Sequence, residues 1–120
     1  MDESVVNLDQ LRFAFDLGWS GIALKTCKGQ TNSLLYLSYA AEMDKFYTVQ
    51  DLTNPGLSFA HSAGLAARSR PLLGVEYNAR QFLPTACADT QKRQSSIFTV
   101  RDGLISLVDL DAIGLGYKIK

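Results

Sequence analysis

Apolar residues in the first two thirds of the chain alternate between helical spacing and short continuous runs. Leu8, Leu11, Ala14 and Phe15 recur at the spacing of one helix face, and the apolar run that follows is short enough for a buried strand. The same order then occurs twice more. The pattern predicts three helix–strand pairs: a helix at 8–17 with a strand at 20–25, a helix at 33–44 with a strand at 46–51, and a helix at 57–68 with a strand at 72–77.

Each of the three helices is preceded by a residue type that favours a helix start. Asn7 is a good N-cap, and Gln10 stands at the capping-box position behind it. Asn32 is the corresponding cap of the second helix. For the third helix, Asn54 followed by Pro55 predicts a cap with proline at the first helical position.

Helices and strands that alternate with short connections predict an α/β fold. Such strands lie parallel, because each helix carries the chain back over the sheet in a right-handed crossover. The segment 91–120 differs. Two short apolar runs at 97–100 and 104–107 flank the turn at Arg101-Asp102-Gly103, and a short strand is predicted at 117–119. We expect one domain over 1–120, with an αβαβαβ part at 1–90 and a hairpin-like tail at 91–120.

The composition is that of an ordinary globular protein. The 120 residues have a formal net charge of zero and 47% hydrophobic residues, which gives little electrostatic support for nucleic-acid binding. No apolar run is long enough to suggest a membrane span, and the acidic start does not resemble a signal peptide, so the cytoplasm is the expected location. Cys27 and Cys87 are expected to be reduced thiols, because no CxxC or histidine spacing suggests zinc.

Polar side chains stand at the carboxyl end of every predicted strand. Lys25 ends the first strand, Gln50 and Asp51 end the second, and Glu76 ends the third. In parallel α/β proteins these ends meet at one edge of the sheet, where chemistry collects. A lysine, a carboxamide beside a carboxylate, and a glutamate on one rim form a set that is able to move protons.

Several stretches together resemble the C-terminal part of the enolase superfamily, in its mandelate racemase and muconate-lactonising branch. They are DES at 2–4, GIALKTCKG at 21–29, FYTVQDLTNPG at 46–56, GLAAR at 64–68 and LLGVEYN at 72–78. The resemblance implies the C-terminal portion of a (β/α)8 barrel, from about the fifth or sixth strand to the eighth. It also implies that the tail returns to the capping region of the enzyme.

The resemblance implies roles for four residues. Asp2 matches the third ligand of a divalent metal, usually Mg²⁺, and Lys25 matches an acid/base lysine at the end of the sixth strand. Glu76 matches a glutamate that hydrogen-bonds the substrate carboxylate, and Asp51 lies on the seventh-strand rim. The complete enzyme would abstract the proton α to a carboxylate as a racemase, epimerase, dehydratase or cycloisomerase. Burial and the nearby metal would lower the pKa of Lys25.

The chain matches only part of such an enzyme, which sets further expectations. The first two metal ligands and the cap domain have no counterpart in it, so we expect no Mg²⁺ binding and no turnover by the chain alone. Its partner would be the missing N-terminal half or a second copy, and the complete enzyme would act on a small carboxylate.

Two other functions remain open on the sequence. A small non-catalytic α/β binding or interaction module would need its strand edges protected by charge or proline, whereas the strands at 20–25 and 72–75 are mostly apolar. A phosphate binder using Gly29-Gln30-Thr31 has no GxxxxGK[ST] or GxGxxG motif behind it. His61 lies within an apolar helical stretch, which favours packing over catalysis.

Overall fold

The protein is a mixed α/β structure with a small parallel sheet. The computed structural model describes residues 1–50, 53–111 and 113. Within them no helix is long and apolar enough to cross a membrane. The elements in chain order are α1 (Leu8–Asp16), β1 (Gly21–Leu24), a 3₁₀ turn (Thr26–Lys28), α2 (Gln30–Glu42), β2 (Phe46–Gln50), α3 (Leu57–Ser69), β3 (Val75–Glu76), α4 (Ala79–Phe82), α5 (Ala88–Arg93), α6 (Ser95–Phe98) and a second 3₁₀ turn (Val108–Leu110).

The three strands are parallel and adjacent in chain order, as the alternating pattern predicts. Leu24 of β1 lies opposite Val49 of β2, and Val49 lies opposite Val75 of β3. One residue further along, Gln50 lies opposite Glu76. The register therefore brings the carboxyl ends of all three strands to the same level of the sheet.

One face of the sheet is covered by α1, α2 and α3. Ile22, Leu24 and Val49 point to this face and are buried. They pack with helix residues that share a core cluster, namely Leu11, Phe15, Tyr36, Ala40 and Leu65. The alternate residues of the strands face the other way, because successive side chains of a strand point to opposite faces. Among the described residues, the helices thus leave one sheet face uncovered.

A second core joins α3 to the C-terminal part of the chain. Phe59 stacks on Tyr77 with 3.6 Å between ring centroids, and Phe98 lies tilted against Phe59 at 5.3 Å. Cys87, Ile97 and Leu110 complete this buried cluster. Aromatic contacts therefore pack residues 79–111 against the β3 side of the sheet.

The helix starts agree with the sequence in one case out of three. The Asn7 side chain accepts a hydrogen bond from Gln10 N–H at 2.9 Å, as a capping box requires. Asn32 is not a cap, because α2 already begins at Gln30, with Gly29 as the N-cap. Asn54 and Pro55 also lie outside α3, whose N-cap is Gly56 at φ 62°. Glycine takes that backbone conformation without steric cost, so it marks the helix start better than Pro55 does.

The tail is less of a hairpin than predicted. Residues 97–98 belong to α6, and the isolated antiparallel bridge between Arg101 and Leu104 closes the turn without pairing the two apolar runs. The turn at 101–104 exists, but the aromatic core holds Ile97 and Phe98 in a helical turn against α3. The predicted strand at 117–119 lies outside the described residues. The strand at 72–77 is shorter than predicted, since β3 comprises Val75 and Glu76.

Replacing Gly21 with alanine is expected to destabilise the fold. A Cβ at this position would lie 2.5 Å from the carbonyl oxygen of Phe46, which is backbone and can move only if β1 and β2 separate. We expect Gly21→Ala to lower the free energy of unfolding by about 1–3 kcal/mol. Glu42→Ala, at an exposed helix position, is the control and should change it by less than about 0.5 kcal/mol. Urea unfolding measures both, and equal stability of the two variants would contradict the close β1–β2 approach.

Candidate functional site

The N-terminal segment lies along the free edge of β1. The Met1 amino nitrogen donates to the Gly21 carbonyl oxygen at 2.9 Å, and Ala23 N–H donates to the Met1 carbonyl oxygen at 2.9 Å. Two bonds that flank Ile22 in this way are the pattern of a parallel pair. Residues 1–3 thus extend the sheet on the side away from β2 and arrive at the same edge as the carboxyl end of β1.

Lys25 is the centre of the side-chain cluster at this edge. Its side chain is only 3% exposed, and its ammonium group forms ion pairs with both Asp2 and Glu3. The Lys25 Nζ to Glu3 Oε1 distance is 2.6 Å. Lys28 Nζ donates to the Glu3 carbonyl oxygen at 3.0 Å. Two lysines that follow β1 therefore hold the N-terminal segment in place.

The pKa of Lys25 moves in the direction opposite to the one expected from the sequence. Burial lowers it, but the hydrogen bonds from the ammonium group to Asp2 and Glu3 outweigh the burial, and the pKa rises above its ordinary 10.5. The same hydrogen bond lowers the pKa of Glu3 below 4.5. Lys25 is therefore a cation at neutral pH. In this state it can donate a proton or stabilise negative charge, and it is not poised to remove a proton.

Glu76 belongs to a second hydrogen-bonded group on the same rim. Asn78 Nδ2 donates to Glu76 Oε1 at 3.1 Å, and Asn78 Oδ1 accepts from both the N–H and the hydroxyl of Thr53 at 3.0 Å. Asn78 thus ties the loop after β2 to the loop after β3. Glu76 itself is exposed.

The four site residues predicted from the sequence differ in where the structure places them. Asp2 and Lys25 are in direct contact. Glu76 lies on the same edge, but β2 separates β3 from β1, so about two strand spacings, or ~10 Å, lie between the Lys25 and Glu76 backbones. Asp51 lies outside the described residues, and Gln50 ends β2 beside it. Their catalytic roles remain predictions.

The donor set does not fit a divalent metal on its own. In the part of the chain that the structure describes, no three His, Cys, Asp or Glu side chains are grouped so as to hold a metal ion. Asp2 and Glu3 are already matched by the ammonium group of Lys25, which takes the place of a cation between them. Mg²⁺ prefers several oxygen ligands in octahedral array, and these residues do not supply them.

The uncovered sheet face forms an open groove of about 690 Å³. Its floor is formed by Gly21 and by the small side chains of Ala23 and Thr48. Trp19 and Phe46 stand at its amino end, both more than half exposed, while Asp2, Glu3 and Gln50 stand at its carboxyl end. Exposed aromatic side chains beside a shallow floor are typical of an interaction surface.

Glu3 is the site residue that the sequence reasoning missed. It lies within the DES stretch, where attention fell on Asp2 as a metal ligand. Its side chain holds Lys25 and its backbone carbonyl holds Lys28, so it makes more contacts with the lysines than Asp2 does. A buried lysine needs a counter-charge, and that requirement was the available signal.

His61 and the two cysteines take no part in the rim. His61 lies partly buried in α3, and burial lowers its pKa below 6.5. Cys27 is exposed in the 3₁₀ turn, and Cys87 is buried, where its Sγ accepts from Gly56 N–H at 3.2 Å. Both thiols are free, as expected.

Replacing Lys25 with methionine should raise the pKa of Glu3 toward 4.5, because the hydrogen bond and the positive charge that lower it are both removed. In the wild type this contact contributes stability above about pH 4.5 that is lost as the pH falls through the lower pKa of folded Glu3. Carboxylate ¹³C NMR titration measures the change. Lys28→Met is the comparison variant: it leaves the Lys25 contact intact and removes only the weakest of the effects that lower the Glu3 pKa, so it should raise that pKa less. A Glu3 pKa unchanged by Lys25→Met would contradict the ion pair.

His61 should make the fold less stable in mild acid. Because its folded pKa lies below 6.5, the unfolded chain binds the proton more tightly, and stability falls as the pH drops below about 6.5. His61→Gln should remove this part of the pH dependence of Tm. If the two proteins lose stability in parallel across this range, His61 is not buried in the way described.

The chain matches no protein-family model, no curated protein and no solved structure. Its function is therefore inferred from the contacts of its own residues. The features that bear on that inference are the paired Lys25, the aligned carboxyl ends of three parallel strands, and the uncovered face behind them.

Proposed function

We propose that this chain forms the C-terminal portion of an enolase-superfamily barrel that handles the proton α to a small carboxylate. One observation carries the proposal. Lys25, Gln50 and Glu76 stand at the same level on three consecutive parallel strands, with Asp2 beside Lys25 on the strand-like segment that precedes them. A parallel order with helices on one face is the local topology of a (β/α)8 barrel.

In the proposed chemistry, Lys25 acts in its protonated form. Asp2 and Glu3 hold its ammonium group at the rim and keep the proton on it. A base in the missing half would remove the α-proton. The Lys25 cation would stabilise the negative charge that then develops on the bound carboxylate substrate, and it can return a proton to the α-carbon. For Lys25 to act as a base instead, both carboxylates would have to move away. Glu76, oriented by Asn78, would hydrogen-bond the substrate carboxylate when protonated.

The uncovered sheet face supports the need for a companion. In a closed barrel the inner face is filled by side chains from all strands, and here the corresponding face is an open groove. We propose that the missing N-terminal half, or a second copy of the chain, covers it. The chain alone would then have no turnover.

A substitution on the floor of the groove tests whether a companion covers this face. We expect the wild type to associate at micromolar concentration in sedimentation velocity, and Thr48→Arg, which places a charge on the uncovered face, should abolish this association. Ser38→Arg, on the exposed side of α2, is the matched control and should associate like the wild type. A wild-type chain that remains a cooperatively unfolding monomer would contradict the incomplete barrel.

That outcome would favour a second candidate, a small non-catalytic binding module. It is supported by the pairing of Lys25, whose ammonium group already has two carboxylate partners. A lysine paired in this way can serve to fix the N-terminal segment and nothing more. The oligomeric state decides between the two, because a binding module has no need of a second half.

A further inference from the structure

A separate cavity of about 430 Å³ lies between the N-terminal segment and α2. This cavity is separate from the groove on the uncovered sheet face. Among the described residues, only Glu3 lines both. Its walls combine two valines with four polar side chains: Val5, Val6, Glu3, Lys28, Asn32 and Tyr36. An apolar wall with a few convergent polar groups is the usual composition of a small-molecule site.

Tyr36 carries the strongest sign of a missing ligand. Its side chain is buried, with 6% of the residue exposed, yet its hydroxyl group has no hydrogen-bond partner among the described residues. Buried polar groups almost always have a partner, since an unsatisfied one costs stability. An unpaired hydroxyl group beside a cavity is explained if a ligand bound there accepts its hydrogen bond.

Asn32 places a second donor on the same helix face. Because α2 begins at Gln30, the Asn32 side chain is not used as a cap, and it lines the cavity. Asn32 and Tyr36 are four residues apart, so their side chains lie one above the other on α2. No side chain caps the start of α2, and its first backbone N–H groups add to the positive potential there.

Lys28 contributes a positive charge to the lining of the cavity. One of its three N–H donors goes to the Glu3 carbonyl oxygen at 3.0 Å, which leaves two. The Glu3 carboxylate is the one acidic group that lines the cavity, and its Oε1 is held by Lys25 at 2.6 Å. The described lining therefore offers an ammonium, an amide and a hydroxyl donor, with the one negative charge already paired.

We propose that this cavity binds a small carboxylate, which accepts hydrogen bonds from Lys28, Asn32 and Tyr36. A carboxylate has two oxygens that together accept several hydrogen bonds, which matches the donors. Val5 and Val6 would contact the apolar part of the molecule. Charges over Asp2, Glu3, Lys25 and Lys28 cancel, so a singly charged carboxylate fits better than a phosphate with its greater charge. This site does not depend on the proposed barrel function.

The test uses acetate as the probe and the full chain. Titration with sodium acetate, against sodium chloride at equal ionic strength, should give saturable ¹H–¹⁵N shift changes at the backbone amides of 28–36. Tyr36→Phe removes only the hydroxyl group. It should weaken acetate binding about fivefold while leaving the unfolding free energy equal to or higher than that of the wild type, because an unsatisfied group is lost.

Tyr39→Phe is the matched control, since Tyr39 also lies on α2 but packs on Phe15 and does not line the cavity. It should bind acetate like the wild type, and Lys28→Met should lose saturable binding. The proposal is overturned if acetate gives no more shift change than chloride, if Tyr36→Phe binds as tightly as the wild type, or if inorganic phosphate binds more tightly than acetate.

Discussion

The ion pair of Lys25 with Asp2 and Glu3 is the interaction on which the arrangement of the rim depends. Burying an ammonium group is unfavourable without opposite charge, so the buried Lys25 requires carboxylates at the carboxyl end of β1. These carboxylates come from the N-terminal segment, whose backbone pairs with the free edge of β1. One electrostatic requirement thus fixes the edge of the sheet, the position of the segment and the protonation state of the lysine.

The same contact shapes both proposed sites. At the carboxyl edge of the sheet it holds a cation beside the ends of β2 and β3, which is where a substrate of the proposed enzyme would meet the rim. On the helix side it occupies the Glu3 carboxylate, so that the neighbouring cavity presents donors from Lys28, Asn32 and Tyr36. The two sites lie on either side of residues 1–4, and they differ in kind: one is open and needs a companion, whereas the other is formed within the chain.

The order of helices and strands in residues 8–76 could be predicted from the sequence, because apolar spacing is set locally by the face that each element buries. The three short helices α4, α5 and α6 were not predicted. The bounds of α2 could not be predicted, since Gly29 with its positive φ starts the helix before Asn32 is reached. The tail was predicted from turn residues at 101–103, but long-range packing of Phe98 on Phe59 decided its conformation. The family resemblance indicated Lys25 and Asp2 as site residues, but it did not predict that they pair with each other. The role of Glu3 and the direction of the Lys25 pKa shift depend on distances that spacing alone does not give.

The most direct test of the ion pair is the pKa of Lys25 itself, followed by NMR of its ¹³Cε and ¹⁵Nζ nuclei across alkaline pH. Burial is the largest single effect on this pKa and lowers it, but the two carboxylates at the ammonium group together outweigh burial and predict a pKa above the ordinary 10.5. In the Asp2→Asn, Glu3→Gln double variant the burial remains and the partners lose their charge, so the pKa should fall. A wild-type pKa below 10.5 would contradict the account, because it would mean that Lys25 is buried without its carboxylates and is free to act as a base.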